Sequence, residues 1–432
     1  MLGEDICAFR RQSDSGGKEG MRLFMNVLGI VAEYNPFHNG HLYHLQVSKD
    51  LAKADYSICI ISGNFSQRGT PSIIDKWSKT QMALFSGIDL ILELPTIYSI
   101  SSAENFANGS IKILNNLNIV THLSFASEIG NLSILNEFAD ILYHEPKEYV
   151  TLLYHELSKG ISYAKARENA MLMYLNDIRK YANIMSKPNN ILAIEYLKAL
   201  KKLKSSITPI TIERLSVDHN STMPSNNIAS SSNIRELINQ QKDFKDYVPS
   251  KTYEILKNAM KYGKIVKDLS TFEKEILYTL RKMSLEEIAN LPDVSEGLEN
   301  IIKKAANSSV CLDEFISKTK SKRYTVTRLQ RILLYSILDI TKKDMADSKS
   351  IKNPYIRILG LNKKGKELIS QIKYSNPKLP IITSVKDFID SNKNKVLSNM
   401  LYTDILATNL YTLGYDYDSS CNLDYTKKII SI

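Results

Sequence analysis

The sequence has few of the features that mark membrane proteins or disulfide-rich proteins. No apolar segment approaches the roughly 20 residues that a membrane-spanning helix requires, although 43% of the residues are hydrophobic. The cysteines are scattered and form no CxxC pair, which argues against a disulfide framework and against a cysteine zinc site. They are Cys7, Cys59, Cys311 and Cys421. These absences predict a protein without a membrane association, in a reducing, cytoplasmic location.

What the sequence does have is length and an excess of positive charge. At 432 residues the chain is longer than one ordinary domain, because domains run to roughly 100–200 residues. Its formal net charge is +10, from 56 basic and 46 acidic residues. Such a surplus favours an anionic partner, such as a nucleic acid or a nucleotide, but does not name it.

The first 24 residues differ from the rest of the chain. They are polar, rich in glycine and aperiodic, and they lack the roughly 7–15-residue apolar stretch of a secretory signal. The apolar pattern starts at Met25. We expect residues 1–24 to be an extension outside the core of the fold, and the functional chain to begin at Met25.

Residues 26–215 alternate short apolar runs with helical segments. The runs are rich in Ile, Val and Leu and predict strands at Val27–Ala32, Tyr56–Ile61, Ile88–Leu94, Val120–Phe125 and Ile207–Leu215. Apolar residues spaced by three and four predict helices at His41–Lys53, Asp75–Ser86 and Ala103–Asn116, and a mainly helical stretch over Leu132–Leu203. Strands separated by helices imply an α/β fold with a parallel sheet and right-handed crossovers.

Beyond about Gln240 the pattern changes. No strand alternation persists, lysines become frequent, and the chain reads as helices to its end. We therefore predict a domain boundary near residues 236–248. It would separate an α/β domain over residues 25–240 from a mainly α-helical, basic domain over residues 241–432.

Three histidines follow the first predicted strand, in the segment GIVAEYNPFHNGHLYH. Pro36 cannot continue a central strand, so His38, His41 and His44 lie at a strand-to-helix corner. Open parallel sheets bind ligands at the carboxyl ends of their strands, where helix N-termini present unpaired N–H groups to phosphates. Gly40 lets the backbone approach such a ligand closely.

Three interpretations of these histidines compete. They are ordinary packing or surface residues, ligands of a metal ion, or donors to a phosphate whose charge grows in a transition state. Positions i and i+6 diverge around a helix and HNGHLYH has no carboxylate, which disfavours a metal site. The glycine between His38 and His41, at the ligand-binding edge of the sheet, favours phosphate chemistry. We predict no metal site built from protein side chains.

The stretch His38-Asn39-Gly40-His41 matches the HxGH signature of the nucleotidyltransferase superfamily, which is a weak motif alone. Its surroundings are more specific, because SGNFSQRGTPSIIDKWSKTQMAL and then GIDLILELP follow it. Together these segments resemble the bacterial tRNA(Met) cytidine acetate ligase family, in order and spacing through Met25–Leu237 and more loosely to the C-terminus. The resemblance implies a Rossmann-like nucleotidyltransferase domain with a parallel sheet.

The resemblance also implies an ATP site, with His38 and His41 as the catalytic residues. The Ser/Thr-x-Ile-Arg element of the superfamily has a counterpart in SSSNIRE, although Asn233 stands where a small hydroxyl residue is common. Taken alone, these serines equally suit a helix N-cap. The candidate ATP-binding residues are Val31, Ala32, Glu33, Tyr34, Asn35, Pro36, Phe37, His38, Asn39, Gly40, His41, Leu42, Tyr43, His44, Ala126, Asn189, Asn190, Arg214, Ser232 and Arg235.

Basic residues elsewhere are candidates for contact with RNA. The loop after the second strand carries Arg68, Lys76 and Lys79, of which Arg68 is the strongest candidate to face acetate or the RNA backbone. The C-terminal half interleaves basic and aromatic residues in KSKRY and RILGLNKKGK. Such a run is usually a solvated surface, but an RNA-modifying enzyme would use it for phosphate contacts and base stacking. The candidate tRNA-binding residues are Arg68, Lys322, Arg323, Tyr324, Arg328, Lys363 and Lys364.

The resemblance implies a two-step ligase. ATP and acetate would form acetyl-adenylate with release of pyrophosphate, and the acetyl group would pass to N4 of the wobble cytidine of elongator tRNA(Met). ATP is the expected co-substrate, accompanied by Mg²⁺. One alternative is an adenylyltransferase for a small cofactor precursor, of the pantetheine-phosphate or nicotinamide-mononucleotide type, which would leave the basic helical half unexplained. The other is a non-enzymatic RNA-binding protein, which the two intact phosphate-binding elements disfavour.

Overall fold

The computed structural model describes residues 25–214, 227–295 and 297–432. The predicted extension over residues 1–24 lies outside these ranges, as does the last residue of the predicted strand Ile207–Leu215. No helix in the described ranges combines the length and the apolar composition that crossing a bilayer requires.

The first five strands lie close to where the apolar runs predict them. β1 has its predicted bounds, whereas the third and fourth strands start two residues later than predicted. The first three strands are continuous runs of mostly apolar residues because both faces of a parallel sheet are covered by helices. The strands are β1 Val27–Ala32, β2 Tyr56–Ser62, β3 Leu90–Leu94, β4 His122–Ser127, β5 Thr208–Glu213, β6 Ile356–Leu361, β7 Ile381–Ile382 and β8 Ile430–Ser431.

Within the described part of the chain these strands form one sheet, in the order β5-β4-β1-β2-β3-β6-β7, with β8 beside β6. β1 to β5 are mutually parallel, which confirms the prediction. The chain passes from β1 to β2 on one side, whereas β4 lies on the other side of β1. The carboxyl end of β1 is therefore a topological switch point, the position at which open α/β sheets bind ligands.

Helices cover both faces of the sheet, and several begin at a side-chain cap. For example, Ser102 Oγ accepts the N–H of Asn105 at the start of α4. The helices are α1 Asn39–Ala52, α2 Lys76–Phe85, α3 Thr96–Ser99, α4 Ala103–Asn116, α5 Leu132–His144, α6 Lys147–Ser158, α7 Tyr163–Leu175, α8 Ile178–Tyr181, α9 Pro188–Lys202, α10 Ser231–Asn239, α11 Ser250–Lys261, α12 Glu273–Lys282, α13 Leu285–Ala289, α14 Leu298–Ser308, α15 Leu312–Thr319, α16 Val326–Ile337, α17 Lys342–Ser350, α18 Lys363–Ser375, α19 Val385–Ser391, α20 Lys395–Thr412 and α21 Leu423–Thr426.

Two apolar clusters lie on the two faces of the sheet. Successive strand residues point to opposite faces, so Ile60 belongs to the first cluster and Ile61 to the second. The first cluster continues into the C-terminal helices. The second contains Leu45 of α1, Met82 of α2 and Ile234 of α10. Helices α1 and α10 therefore pack on the same face, which matters for the site below.

The expectation that no strand follows residue 240 is wrong. β6 pairs antiparallel with β3, and β7 and β8 pair with β6. The basic residues of RILGLNKKGK predict a surface run, but its apolar half is a fully buried strand. The sheet therefore extends across the predicted boundary at residue 240, and the rest of the C-terminal half is mainly helical, as predicted.

A buried ionic cluster joins β3 and α2 to the C-terminal elements. Lys76 Nζ lies 2.8 Å from Glu93 Oε1 and 2.7 Å from Asp424 Oδ1. Arg357 Nη1 lies 3.1 Å from Glu93 Oε2, and its Nη2 is bonded to Asp424. The prediction that Lys76 faces acetate or RNA is wrong, because its ammonium group is buried between two carboxylates.

Candidate active site

The chain turns sharply between the end of β1 and the start of α1. Tyr34 has a φ of 48°, in the left-handed region that residues with bulky side chains rarely adopt. Its ring packs against Phe37 and His41, with ring centroids 4.7 and 5.0 Å away. These contacts support His41 from the core side and fix the start of α1 at the carboxyl edge of the sheet.

His38 and His41 stack on each other at the N-terminus of α1. Their ring centroids are 3.7 Å apart and their planes differ by 26°. His41 Nδ1 accepts a hydrogen bond from the backbone N–H of His38 at 3.3 Å, which leaves Nε2 as the protonated nitrogen of a neutral ring. A Cβ atom at Gly40 would lie only 2.9 Å from His38 Cε1. Any larger residue at position 40 would therefore displace the ring of His38.

Both imidazoles are neutral at physiological pH. Burial, reinforced by the positive charge of Arg214, lowers the pKa of His38 from 6.5 to about 3. Burial and the proximity of His38 lower the pKa of His41 well below its usual value. His38 Nδ1 is buried without a hydrogen-bond partner among the described residues. The pair therefore offers fixed, neutral ring nitrogens of the kind that stabilise charge developing on a phosphate.

His44, the third histidine of the segment, contacts the neighbouring strand. Its Nε2 lies 3.2 Å from Ser124 Oγ in β4, and that oxygen lies 2.7 Å from Ser48 Oγ. Burial, with the charge of Arg214, lowers the pKa of His44 to about 4. Its ring thus connects α1 to β4 and does not extend the stacked pair.

The two candidate asparagines at the start of α9 have different surroundings. Oδ1 of Asn190 accepts hydrogen bonds from the N–H groups of Glu128 and Ile129, at 2.9 and 3.2 Å, and the side chain is buried. Asn189 is half-buried, and its Oδ1 accepts a 3.2 Å hydrogen bond from Arg214 Nη1. Asn190 therefore fixes the loop after β4, whereas Asn189 holds the arginine whose charge acts on the histidines.

Helix α10 carries the second predicted phosphate-binding element to the same corner. Arg235 Nη1 donates a 2.8 Å hydrogen bond to the carbonyl oxygen of Asn35, and Nη2 donates a 3.1 Å bond to Ser232 Oγ. The helix cap is Ser230, whose Oγ accepts the N–H of Asn233 at 3.1 Å. Ser232 is therefore not the cap and instead orients the guanidinium group of Arg235.

Arg68 and Glu33 lie in the electrostatic environment of Arg235. Burial lowers the pKa of Arg235, the negative charge of Glu33 raises it, and the positive charge of Arg68 lowers it. The carboxylate of Glu33 also accepts a 2.7 Å hydrogen bond from the N–H of Gln67. This bond fixes the loop that presents the exposed Arg68. Two guanidinium groups near one helix N-terminus are suited to the charge of a triphosphate.

A lysine that the sequence suggests as a ligand contact instead supports this loop from inside. Lys79 Nζ is buried and donates to the carbonyl oxygens of Ser62 and Gly63, at 2.7 and 2.6 Å, and to Ser72 Oγ at 2.9 Å. Burial lowers the pKa of Lys79 from 10.5 to about 8. The prediction that Lys79 faces acetate or RNA is wrong. No sequence signal marks it, because lysines on amphipathic helices are mostly exposed.

Comparisons with known proteins agree with this geometry. The family model described as HIGH Nucleotidyl Transferase matches residues 25–425. A tRNA(Met) cytidine acetate ligase from Thermoanaerobacter sp. (strain X514) is 45% identical over 411 residues, which cover 94% of this chain and 100% of that protein. Another from Acetivibrio thermocellus is 42% identical over 415 residues, with the same coverage. The chain belongs to the tRNA(Met) cytidine acetate ligase family.

A solved relative shares the fold of this family member. The crystal structure of apo Thermotoga maritima TmcAL has a TM-score of 0.89 at 32% identity, and the match covers 94% of this chain and 100% of that one. The same relative bound with alpha-thio ATP has a TM-score of 0.87 at 32% identity and the same coverage. The predicted family and the predicted fold class are therefore confirmed.

The other candidate ATP-binding residues of this tRNA(Met) cytidine acetate ligase family member differ in their position and in their burial. Val31 and Ala32 end β1, and half-buried Ala126 lies near the carboxyl end of the adjacent β4. Pro36 and Phe37 are buried in the turn, whereas Tyr43 is exposed on α1.

Two predicted tRNA-binding residues of this family member, Tyr324 and Arg328, lie in or against its apolar core. Tyr324 is only 6% exposed and belongs to the apolar core, so the prediction that it stacks on a base is wrong. The guanidinium group of Arg328 lies over its ring at 5.1 Å and donates twice to the carbonyl oxygen of Asp293, at 2.8 and 2.6 Å. An aromatic residue beside basic ones fits a surface or a core equally well, so the sequence could not distinguish them.

The other predicted tRNA-binding residues fall at two edges of the molecule. Lys322 and Arg323 are exposed in the loop before α16. The loop that carries Arg68 packs on that same helix, because a Cβ at Gly69 would lie 2.5 Å from the backbone nitrogen of Arg331. Helix α16 therefore adjoins both the loop that carries Lys322 and Arg323 and the loop that carries Arg68.

Lys363 and Lys364, by contrast, begin α18 at the amino ends of the parallel strands. Lys364 Nζ donates a 2.8 Å hydrogen bond to the carbonyl oxygen of Asp55, directly before β2. The seven residues of β2, at about 3.3 Å each, put roughly 20 Å between this edge and the histidine edge. The structure does not bring these two lysines to the candidate site.

Proposed function

We propose that this protein is an ATP-dependent ligase that acetylates the wobble cytidine of elongator tRNA(Met). The observation that carries the proposal is the stacked, neutral pair of His38 and His41 at the N-terminus of α1. Arg235, which is bonded to the carbonyl oxygen of Asn35 in the same corner, and its neighbour Arg68 add positive charge. A nucleoside triphosphate can be bound by the groups that meet at this switch point of the sheet, namely ring N–H donors, a helix N-terminus and two guanidinium groups. The names of the 45% and 42% identical relatives support the same substrates.

In the first step, a carboxylate oxygen of acetate attacks the α-phosphorus of ATP. The bond from that phosphorus to the bridging oxygen breaks, and pyrophosphate leaves with the electron pair, giving acetyl-adenylate. His38, His41 and the N-terminus of α1 stabilise the negative charge that gathers on the α-phosphate. Arg235 and Arg68 stabilise the leaving pyrophosphate. No side chain acts as a covalent nucleophile.

In the second step, the N4 amine of the cytidine attacks the acetyl carbonyl carbon. The bond from this carbon to the phosphate oxygen breaks, AMP leaves with the electron pair, and the amine releases a proton to solvent. The mixed anhydride is already activated. Holding the amine against it supplies much of the rate, within the ~7–11 kcal/mol that proximity provides in general.

We assign the nucleotide orientation to Asn189 and Arg214, with the backbone near Ala126 approaching the adenine or ribose. We assign Asn190 a structural role instead, because its side-chain oxygen is occupied by two bonds to the loop after β4. The described residues contain no group of three or more His, Cys, Asp or Glu side chains that could hold a metal ion. We therefore propose that Mg²⁺ is bound mainly by phosphate oxygens and water, its usual mode in nucleotide sites.

We propose that the tRNA contacts Arg68, Lys322 and Arg323, mainly through its phosphates. Their exposure and the packing of the Arg68 loop on α16 support a shared surface. ATP binding would then belong to residues before 240 and part of the tRNA binding to residues after it. A tRNA substrate is consistent with a cytoplasmic location.

The proposal is tested by incubating the protein with ATP and labelled acetate, with and without elongator tRNA(Met). We expect acetate-dependent pyrophosphate release without tRNA, and N4-acetylcytidine in the nucleoside mass spectrum when tRNA is added. Each component is omitted in turn as the control. Turnover that requires pantetheine phosphate or nicotinamide mononucleotide instead of acetate would support a small-molecule adenylyltransferase. Binding of tRNA without any turnover of ATP would support a non-enzymatic role.

A further inference from the structure

Asn39 lies between the two stacked histidines, but its side chain points to other segments of the chain. Its amide Nδ2 donates a 2.9 Å hydrogen bond to the carbonyl oxygen of Asn227 and a 2.8 Å bond to the carbonyl oxygen of Asp246. An asparagine amide has two protons, and both are used. The remaining side-chain atom, Oδ1, is an acceptor and offers nothing to a phosphate oxygen, which is an acceptor as well.

The two carbonyl oxygens bound by Asn39 enclose one functional element. Residue 227 precedes α10 and residue 246 follows it, so a single side chain holds both ends of the segment that carries Ser232 and Arg235. Asn39 is the first residue of α1. The N-terminus of the histidine helix and the arginine helix are therefore joined directly through this amide.

Helix α10 is held by these bonds together with a short apolar face. Of its nine residues, all of which are described, Ile234 and Ile238 are buried and Leu237 packs against the same cluster. Arg235 supplies one further link, through Nη1 to the carbonyl oxygen of Asn35 at 2.8 Å. Asn35 Oδ1 in turn accepts the N–H of Ile73 at 2.7 Å, at the end of the loop that carries Arg68. The hydrogen bonds at the corner between β1 and α1 thus help to set the distance from the histidines to Arg235.

We infer that Asn39 is a positioning residue that holds Arg235 at its working distance from His38 and His41, an inference that rests on the proposed function. This assignment replaces the expectation that the Asn39 side chain binds ATP. Misplacement of a catalytic group by about 1 Å costs on the order of 100-fold in rate. Release of α10 from Asn39 should therefore lower catalysis much more than it lowers stability.

The experiment is a double-mutant cycle between Asn39→Ala and Arg235→Ala, read by kcat and KM in acetate-dependent exchange of pyrophosphate into ATP. We expect Asn39→Ala to lower kcat/KM for ATP roughly 10- to 100-fold in the wild-type background. In the Arg235→Ala background the same change should cost less than about threefold, because the group that it positions is absent. The matched control is Asn116→Ala, another half-buried asparagine, whose Nδ2 donates to the distant carbonyl oxygen of Lys352 at 2.8 Å. It should leave the exchange rate unchanged.

Equal losses in the two backgrounds would overturn the inference, because a direct ligand of ATP or a general stabiliser acts independently of Arg235. An Asn39→Ala protein with wild-type exchange would overturn it as well. If Asn39→Ala melts below the assay temperature, Asn39→Ser completes the same cycle, since serine is well tolerated in the first turn of a helix. Absence of acetate-dependent exchange in the wild-type protein would instead reject the proposed function, so the two failures are distinguishable.

Discussion

At the scale of single residues, the histidine pair and Lys79 are ionisable groups in buried positions, and none of them is hydrogen-bonded to a carboxylate among the described residues. The histidine pair is kept neutral by burial and by the charge of Arg214. Lys79 is bonded to two carbonyl oxygens and a hydroxyl group. Burying such groups costs stability unless every donor is satisfied. Their presence around one strand edge indicates that this part of the sequence is shaped by chemistry more than by packing.

The role of His41 as a donor predicts a selective loss of the first chemical step. His41→Ala should lower acetyl-adenylate formation about 10²–10³-fold, the usual cost of one transition-state donor, while leaving tRNA binding nearly intact. Pyrophosphate release with ATP and acetate measures the loss. His122→Ala is the matched control, because His122 is half-buried at the amino end of β4, away from the site. Unchanged pyrophosphate release from the His41 variant would remove it from the mechanism.

The low pKa of His44 predicts a pH dependence of stability. Its pKa is about 4 in the folded protein, and a histidine in an unfolded chain has a pKa of about 6.5. Between these values the unfolded chain binds a proton that the folded chain does not. The free energy of unfolding therefore falls as the pH is lowered from about 6.5 towards 4, by up to about 1.4 kcal/mol per pH unit for each such histidine.

His44→Gln removes this proton and keeps a partner for Ser124 Oγ, so the melting temperature should depend less steeply on pH in the same window. His144→Gln, at an exposed position, is the control and should leave the slope unchanged. The two profiles are measured by thermal melts between pH 4 and pH 7. Identical slopes for the His44 variant and the wild-type protein would show that His44 is not buried as described.

Which residues carry the chemistry was predictable where the motif fixes a local geometry. Pro36 after the first strand predicted the strand-to-helix corner at the histidines, and the structure contains it. Tyr324 and Lys79 were not predictable, because the direction of each side chain depends on how separate elements pack together and not on the local pattern. Burial of Tyr324 is set by the packing of its own C-terminal helices, and the bonds of Lys79 go to carbonyl oxygens at the end of β2.

At the scale of elements, the start of helix α1 places two requirements on residue 40 that oppose each other. An alanine there would favour the helix over glycine by roughly 0.5–1 kcal/mol. Its Cβ, however, would lie 2.9 and 3.0 Å from Cε1 and Nδ1 of His38, so the imidazole must move. A substitution of Gly40 should therefore affect helix stability and catalysis in opposite directions.

Gly40→Ala should keep or raise the melting temperature while lowering pyrophosphate release about 10- to 100-fold, the scale expected for a displaced catalytic group. Both quantities are measured on the same preparation. Gln46→Ala, at an exposed position of the same helix, should change neither by much. A Gly40 variant with full activity would mean that the observed ring position of His38 is not required.

The loop before α16 and the helix itself should respond differently to loss of charge. Replacing Lys322 and Arg323 together by glutamine should weaken tRNA binding and reduce its salt dependence by roughly one unit of slope per lost phosphate contact. Arg328→Gln should instead lower stability, because the carbonyl oxygen of Asp293 loses its two donors. Titrations of tRNA at several salt concentrations measure the slope, with Lys147→Gln on α6 as the exposed control. An unaltered slope in the double variant would exclude this loop from the RNA surface.

At the scale of the whole molecule, the two halves of the chain share one sheet and one ionic cluster. The parallel strands β1–β3 were predictable because each is a continuous apolar run, and β4 and β5 because each contains a shorter apolar run. β6 was not predictable, because it is an antiparallel strand added to a parallel sheet. Such a strand needs no crossover helix, so the sequence lacks the strand–helix–strand pattern that indicates a parallel strand. Its apolar residues are followed at once by lysines that begin α18. Long-range pairing, and not local pattern, decides that a C-terminal strand completes the N-terminal sheet.

Because both halves contribute to this cluster, we expect them to unfold together, and we expect the carboxylate of Asp424 to stabilise both halves. Asp424→Asn would leave the buried cations Lys76 and Arg357 with Glu93 as their remaining carboxylate partner in the cluster, and breaking a buried ion pair in this way typically costs about 3–5 kcal/mol.

Trp77, the single tryptophan of the chain, follows Lys76 in α2, whereas many of the helices that contribute to the circular dichroism signal lie after residue 240. Urea unfolding followed by tryptophan fluorescence and by circular dichroism should give coincident transitions in the wild-type protein. In Asp424→Asn both should shift together to lower urea, and in the exposed control Asp418→Asn neither should shift. A fluorescence transition that separates from the helical one would show that residues 25–240 form an independent folding unit after all.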